Sequence, residues 1–246
     1  VLAQQRACRA KRSQAFTEGE VQAIGARALA KWVAGRTTHA DVRLSRVVGT
    51  MQTHIPARAW QFLVVEDTKT DSFSVPPSTV LVTSGLLTAL KHDGALAGVV
   101  LHEVAHVTAN DALDLVRQQN ELQCLMRQLT ASSVSASNEQ QKQLGMNPVF
   151  DPNDPALTSM GDNLVQTLMT NGYGEKTQAT SEDELSADAQ AARWLHASGF
   201  DVREYAQALT TLEGLSVPHP APAKRVEALE AVRQTLPPLP AVKPKK

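Results

Sequence analysis

Two histidines four residues apart, His102 and His106, with Glu103 directly after the first, stand in a run whose other positions are apolar: Leu96, Val99, Val100, Val104 and Val107. This segment limits the fold more than any other. Residues four apart on an α-helix lie about 40° apart around the axis and about 6 Å apart along it, so both imidazoles can aim at one point. A helix this apolar belongs in an interior, where unpaired polar groups are costly, so the three side chains need partners. Imidazole nitrogen suits Zn²⁺ at roughly 2.0–2.1 Å. Glu103 is placed to act on a water activated at such a metal without itself filling the coordination sphere. The rival reading, three solvated surface residues, does not fit the apolar neighbours.

A catalytic zinc holds three protein ligands and leaves one position open. The third ligand is expected in Ser181-Glu182-Asp183-Glu184-Leu185-Ser186-Ala187-Asp188-Ala189, where Glu184 and Asp188 again lie four apart. One of them can ligate while the other accepts a proton from a ligand histidine. Ser181 and Glu184 also fit a capping box, in which Glu184 would only satisfy a helix start. With the two histidines one ligand short, ligation by Glu184 is the expectation.

The rest of the chain frames this site. Thr17 and Glu20 match a capping box opening a helix with Val21, Ile24, Ala28 and Trp32 on one face. A second helix is expected from about Ala40 to His54. Strands are expected at Trp60–Glu66, Ser72–Val75 and Thr79–Thr83, from their β-branched and aromatic residues. A short helix follows from Ser84, and Asp93 is expected to cap a long one from Gly94 to about Arg127. Later helices are expected over about Ser181–Ser198, Val202–Leu212 and Pro222–Leu236. The expected fold class is therefore α+β and mostly helical, with a long central helix and a small sheet of about three strands. Residues 1–16, basic and unpatterned, are expected to be a loose terminus. Residues 17–236 are expected to form a single domain with a mobile loop at about 131–155, followed by a proline- and lysine-rich tail over 237–246.

These motifs together resemble the CAAX-prenyl-protease-like metallopeptidases, metallopeptidase family 48 of the gluzincin clan, and in particular the members without membrane spans that act in the bacterial envelope. Gly94–Asn110 resembles the family's active-site helix, and Glu184-Leu185-Ser186-Ala187-Asp188 its E-x-x-A-D motif. His219-Pro220 with Arg225 resembles its H-P-x-x-x-x-R element. Asp71-Ser72-Phe73 and Leu81–Leu87 resemble its edge strand and glycine turn. The likeness covers about residues 38 to 232 and implies a zincin-like fold with one Zn²⁺ per chain. It implies His102, His106 and Glu184 as ligands, Glu103 as general base and Asp188 as a histidine's partner. His219 would be an oxyanion donor or a cap on the resting metal, and Arg225 would support that loop or the substrate. Asp71, Ser72 and Phe73 would lie along an extended polypeptide substrate. The chain departs from the family pattern at Asp71, where asparagine is usual, and at Asn110 and Asp111, where arginine and histidine are common.

The expected activity is zinc-dependent endopeptidase action on extended, unfolded or misassembled proteins. Two alternatives stand beside it: a latent zinc-protease-fold chaperone with His219 capping the metal, and a zinc hydrolase of non-peptide substrates. A net charge of -1 supplies no general attraction to nucleic acid. No apolar run approaches the roughly 20 residues of a membrane span, so peripheral association is the closest membrane contact expected. From the resemblance, and because the first residue is valine, the chain is expected in an extracytoplasmic compartment such as the periplasm. Cys8 and Cys124 have no spacing that decides between paired and free. Oligomeric state is not written in the sequence.

Overall fold

The computed structural model describes residues 6–10, 13–147, 151, 159, 181–212 and 222–239. In chain order the elements are α1 (Glu18–Val33), β1 (Thr38–His39), α2 (Val42–Met51), β2 (Gln61–Val65), β3 (Ser72–Val75), β4 (Thr79–Thr83), α3 (Ser84–Ala89), α4 (Asp93–Ala109), α5 (Asp111–Gln143), α6 (Ser181–Ala197), α7 (Val202–Leu212) and α8 (Pro222–Thr235). The fold is mostly helical with one small mixed sheet, α+β as expected. Contacts group the chain into two units. One comprises Val1–Phe16 and Leu113–Gln178, the other Thr17–Ala112 and Ala179–Lys246. One boundary between the units falls within α5, between Ala112 and Leu113.

The larger unit holds the sheet, in the order β1-β2-β4-β3. β1 runs antiparallel to β2, β2 parallel to β4 with Leu63 opposite Leu81, and β3 antiparallel to β4 with Phe73 opposite Leu81. β3 is thus an edge strand. β4 is buried along its whole length, in keeping with its central place and unbroken apolar run. On one side Leu81, Val65 and Val75 pack with Trp32, Leu29 and Phe73, and the Trp32 and Phe73 rings stack at 4.2 Å. The other side carries the main core, built from Leu44, Val47, Val82, Leu86, Leu96, Val100, Val104, Ala191, Leu195, Tyr205 and Leu229 among others.

Helix α4 crosses this core and is buried from Gly94 to Ala105 and again at Val107, as an all-round apolar helix must be. Asp93, expected as its cap, is instead its first residue. His92 precedes it without a side-chain cap bond, and the Gly94 amide donates to Glu204 Oε2 of α7 at 3.2 Å. The capping box of α1 is present as expected, with Thr17 N donating to Glu20 Oε2 at 2.8 Å.

The long helix expected from Gly94 to about Arg127 is broken at Asn110. That residue sits in the left-handed region at φ 66° and caps α4 with its amide on Val107 and His106 carbonyls. Asparagine tolerates this conformation better than most residues, which makes it a helix stop without glycine. The chain restarts at once as α5. That helix continues to Gln143, where the loop at about 131–155 was expected, because residues 111–143 contain neither proline nor glycine to end it.

In the smaller unit the terminus expected to be loose is helical at residues 6–10. Its Cys8 is fully buried in a disulfide with Cys124 of α5. The Arg117 guanidinium lies 5.0 Å from the centre of the Phe16 ring in the same unit. Among the described residues no helix is long and apolar enough to cross a membrane.

Candidate metal centre

One helical turn separates His102 from His106, and the two Nε2 atoms approach to 2.9 Å. Helix α6 lies against α4 and brings Glu184 to them. Its Oε2 is 3.4 Å from His102 Nε2 and its Oε1 is 3.4 Å from His106 Nε2. One ligand atom from each of the three residues lies within 4.8 Å of the others. Glu184 is 1% exposed, with its carboxylate beside both histidines.

The far side of each imidazole is held by a carboxylate. His102 Nδ1 is 2.9 Å from Asp188 Oδ1, and His106 Nδ1 is 2.6 Å from Asp111 Oδ2. Such a bond places the ring proton on Nδ1 and leaves the Nε2 lone pair for a metal. Asp188 is itself gripped on both oxygens by Arg225, through Nε and Nη2 at 2.7 Å each, and accepts from the Tyr205 hydroxyl at 2.5 Å. His102, Glu184, Asp188, Tyr205 and Arg225 are buried and His106 and Asp111 are partly so, and each charge has a partner, as a buried charge requires.

Tyr205 reaches Asp188 because of Gly98. A Cβ on Gly98 would meet the Tyr205 ring and Cβ at 2.4–2.6 Å, so only glycine lets α7 approach α4 this closely.

The electrostatics suit a cation. Burial works against protonation of His106, but Asp111 and then Glu184 outweigh it and raise its pKa to about 10. His102 is also raised, with burial opposed by Asp188 and Glu184. Burial pushes Asp188 up, but Arg225 and then His102 hold it well below the usual carboxylate range. Tyr205 is raised well above its ordinary value by burial and then by the Asp188 charge, so it remains a donor. Two imidazole nitrogens, each backed by a carboxylate, and the Glu184 carboxylate form the donor set that zinc takes in hydrolytic sites. The residues fit the metal.

Glu103, 5% exposed, lies beside its neighbour histidine on α4, and its Oε1 accepts from the Ser72 hydroxyl at 2.9 Å. Ser72 comes from β3, which runs past α4 at the edge of the sheet.

The sequence matches the model of peptidase family M48 over residues 36–233. The chain belongs to peptidase family M48. A stretch of 56 residues is 36% identical to the mitochondrial metalloendopeptidase OMA1 of Arabidopsis thaliana, covering 23% of this chain and 12% of that protein. Within this family match, the His102, His106 and Glu184 cluster is where a metal fits.

Against the M48 pattern, the structure brings together His102, Glu103, His106, Glu184, Asp188, Arg225 and Ser72. Arg225, expected to support the loop of His219 or the substrate, clamps Asp188, with Nη1 3.8 Å from Glu184, and the loop itself lies outside the described residues. Phe73 does not join the site, because alternation along β3 turns it to the opposite face against Trp32. Asp71 is anchored through its backbone: its carbonyl accepts from Thr83 N and its amide donates to Thr83 Oγ1, both at 3.0 Å. His219 lies outside the described residues. Sequence reasoning missed Asp111 and Tyr205 as partners. Asp111 was visible as a departure from the family pattern five residues after His106, whereas Tyr205 carries no motif.

Proposed function

We propose that this M48 chain is a zinc endopeptidase for extended, unfolded or misassembled polypeptides, with Glu103 as general base. The observation that carries the reading is the convergence of His102 Nε2, His106 Nε2 and the Glu184 carboxylate, with Glu103 on the same helix. When bound, zinc supplies Lewis acidity, polarising the peptide carbonyl and acidifying the attacking water. Glu103 accepts the proton of that water as its oxygen bonds to the carbonyl carbon, and returns a proton to the leaving amine as the C–N bond breaks. Asp188 and Asp111 hold the two imidazoles in the orientation that presents Nε2. The substrate lies extended beside β3, whose outer edge has no strand partner among the described residues. Main-chain pairing of this kind tolerates many sequences, which suits misfolded clients. His219 supplies a donor to the developing oxyanion, a contribution of about 3 kcal/mol at comparable sites.

The setting we propose is the bacterial envelope, in protein quality control. The Cys8–Cys124 disulfide supports an oxidising compartment. The name of the Arabidopsis relative, a metalloendopeptidase, supports cleavage within chains.

Metal content and cleavage of unfolded casein, measured together for the wild type and Glu103→Gln, test the reading. One zinc in both with cleavage only in the wild type is the expected result. Zinc in both and cleavage in neither would replace it with a latent, chaperone-like protein. Absence of zinc from both would overturn it.

A further inference from the structure

The bond from Ser72 Oγ to Glu103 Oε1 joins two elements 31 residues apart in sequence. Its position on the edge strand gives it a second meaning. The Asp71 carbonyl accepts from the Thr83 amide, which makes Asp71 and Thr83 a hydrogen-bonded pair of the β3–β4 ladder. Antiparallel pairs alternate, so Asp71, Phe73 and Val75 turn their backbone groups toward β4, while Ser72 and Ser74 turn theirs to the open edge. Ser72 therefore presents its N–H and C=O where an extended chain would pair, and its side chain stands out of the sheet face to the carboxylate on α4.

We propose that Ser72 is the positioning residue of the general base: its hydroxyl fixes the Glu103 carboxylate and ties it to the strand on which the substrate lies. This rests on the reading of Glu103 as base given above. A glutamate side chain has three torsions, and burial alone does not choose among them. One neutral donor on Oε1 selects a rotamer and leaves the charge in place, so Oε2 keeps its lone pairs for the water proton. A lysine or arginine in that position would bind the carboxylate more strongly and weaken it as a base. Because donor and substrate share one residue, the distance from the scissile bond to the base is set within a single strand position.

The test uses the zinc-loaded full chain as wild type, Ser72→Ala, Ser72→Thr and Glu103→Gln, with casein cleavage, zinc stoichiometry and the ¹³C resonance of the Glu103 carboxyl as readouts. Ser72→Ala is expected to lower kcat roughly 10- to 100-fold, the scale of a misplaced reacting group. KM and zinc content are expected to stay unchanged, and Ser72→Thr to restore most of the rate. The Glu103 carboxyl resonance is expected to shift in Ser72→Ala and return in Ser72→Thr, a readout that does not need turnover. An unchanged kcat, an effect confined to KM, a parallel loss of zinc, or an unmoved resonance would each overturn the role of Ser72. Cleavage by Glu103→Gln would instead sink the base assignment itself, which separates the two failures.

Discussion

His106 Nδ1 and Asp111 Oδ2 lie 2.6 Å apart across the left-handed turn at Asn110. The end of one helix and the start of the next are thus joined through a metal-facing imidazole. Asp111→Asn keeps a carbonyl oxygen for the Nδ1 proton but removes the charge, and Asp111→Ala removes both. Zinc affinity is expected to fall roughly 10-fold in the first and up to about 100-fold in the second, as for other partners of ligand histidines. Competition with a chromophoric chelator measures this directly. Equal affinity in all three proteins would show that Asp111 does not orient His106.

Glu184 is the only carboxylate within reach of both Nε2 atoms among the described residues. Glu184→Gln conserves volume in a site that is 1% exposed. The variant should fold, by circular dichroism, yet hold less than one zinc per chain after dialysis. Full metal occupancy in Glu184→Gln would mean that the third ligand lies elsewhere.

Gly98 has no room for a methyl group against Tyr205. Gly98→Ala is expected to destabilise the metal-free protein by about 1–3 kcal/mol, the range for overpacking, in spite of alanine's better helix propensity. Tyr205→Phe leaves the packing and removes the hydroxyl's bonds to Asp188 and from Arg225, so its loss should be separable. Urea unfolding of both variants is the measurement, and a Gly98→Ala protein more stable than wild type would contradict the close approach of α7 to α4.

Asp188 gives the metal-free protein a defined acid response. Its folded pKa is depressed below the unfolded value of about 3.9, so its stabilising effect is complete above that value and is lost as pH falls through the folded pKa. The difference in unfolding free energy between wild type and Asp188→Asn should therefore shrink as pH falls below about 4. A difference that stays constant down to pH 2 would show that Arg225 and His102 do not hold the carboxylate in its charged form.

Much of the site was legible because its parts are local. His102, Glu103 and His106 share one helix face, and Glu184 and Asp188 share another, so spacing alone grouped each set. The strands at Gln61–Val65, Ser72–Val75 and Thr79–Thr83 were marked by β-branched runs and by Pro76 and Pro77. β1 was not, because two residues, Thr38 and His39, are too few to carry a pattern. The length of α5 was misjudged from its serine and glutamine content, although those residues lower helix propensity without stopping a helix as proline does. The Ser72–Glu103 and Tyr205–Asp188 bonds are products of tertiary packing. Each joins elements brought together only by the core, and neither donor has a sequence signature.

The Cys8–Cys124 bridge closes a covalent ring of chain that contains the whole sheet and α4 with its two histidines. A peptidase is exposed to its own activity, and a single nick anywhere between those cysteines would leave both fragments attached. Such a molecule would run as intact on a non-reducing gel and separate only when thiols are added. Preparations judged homogeneous without reductant could therefore be mixtures of whole and self-cut chains.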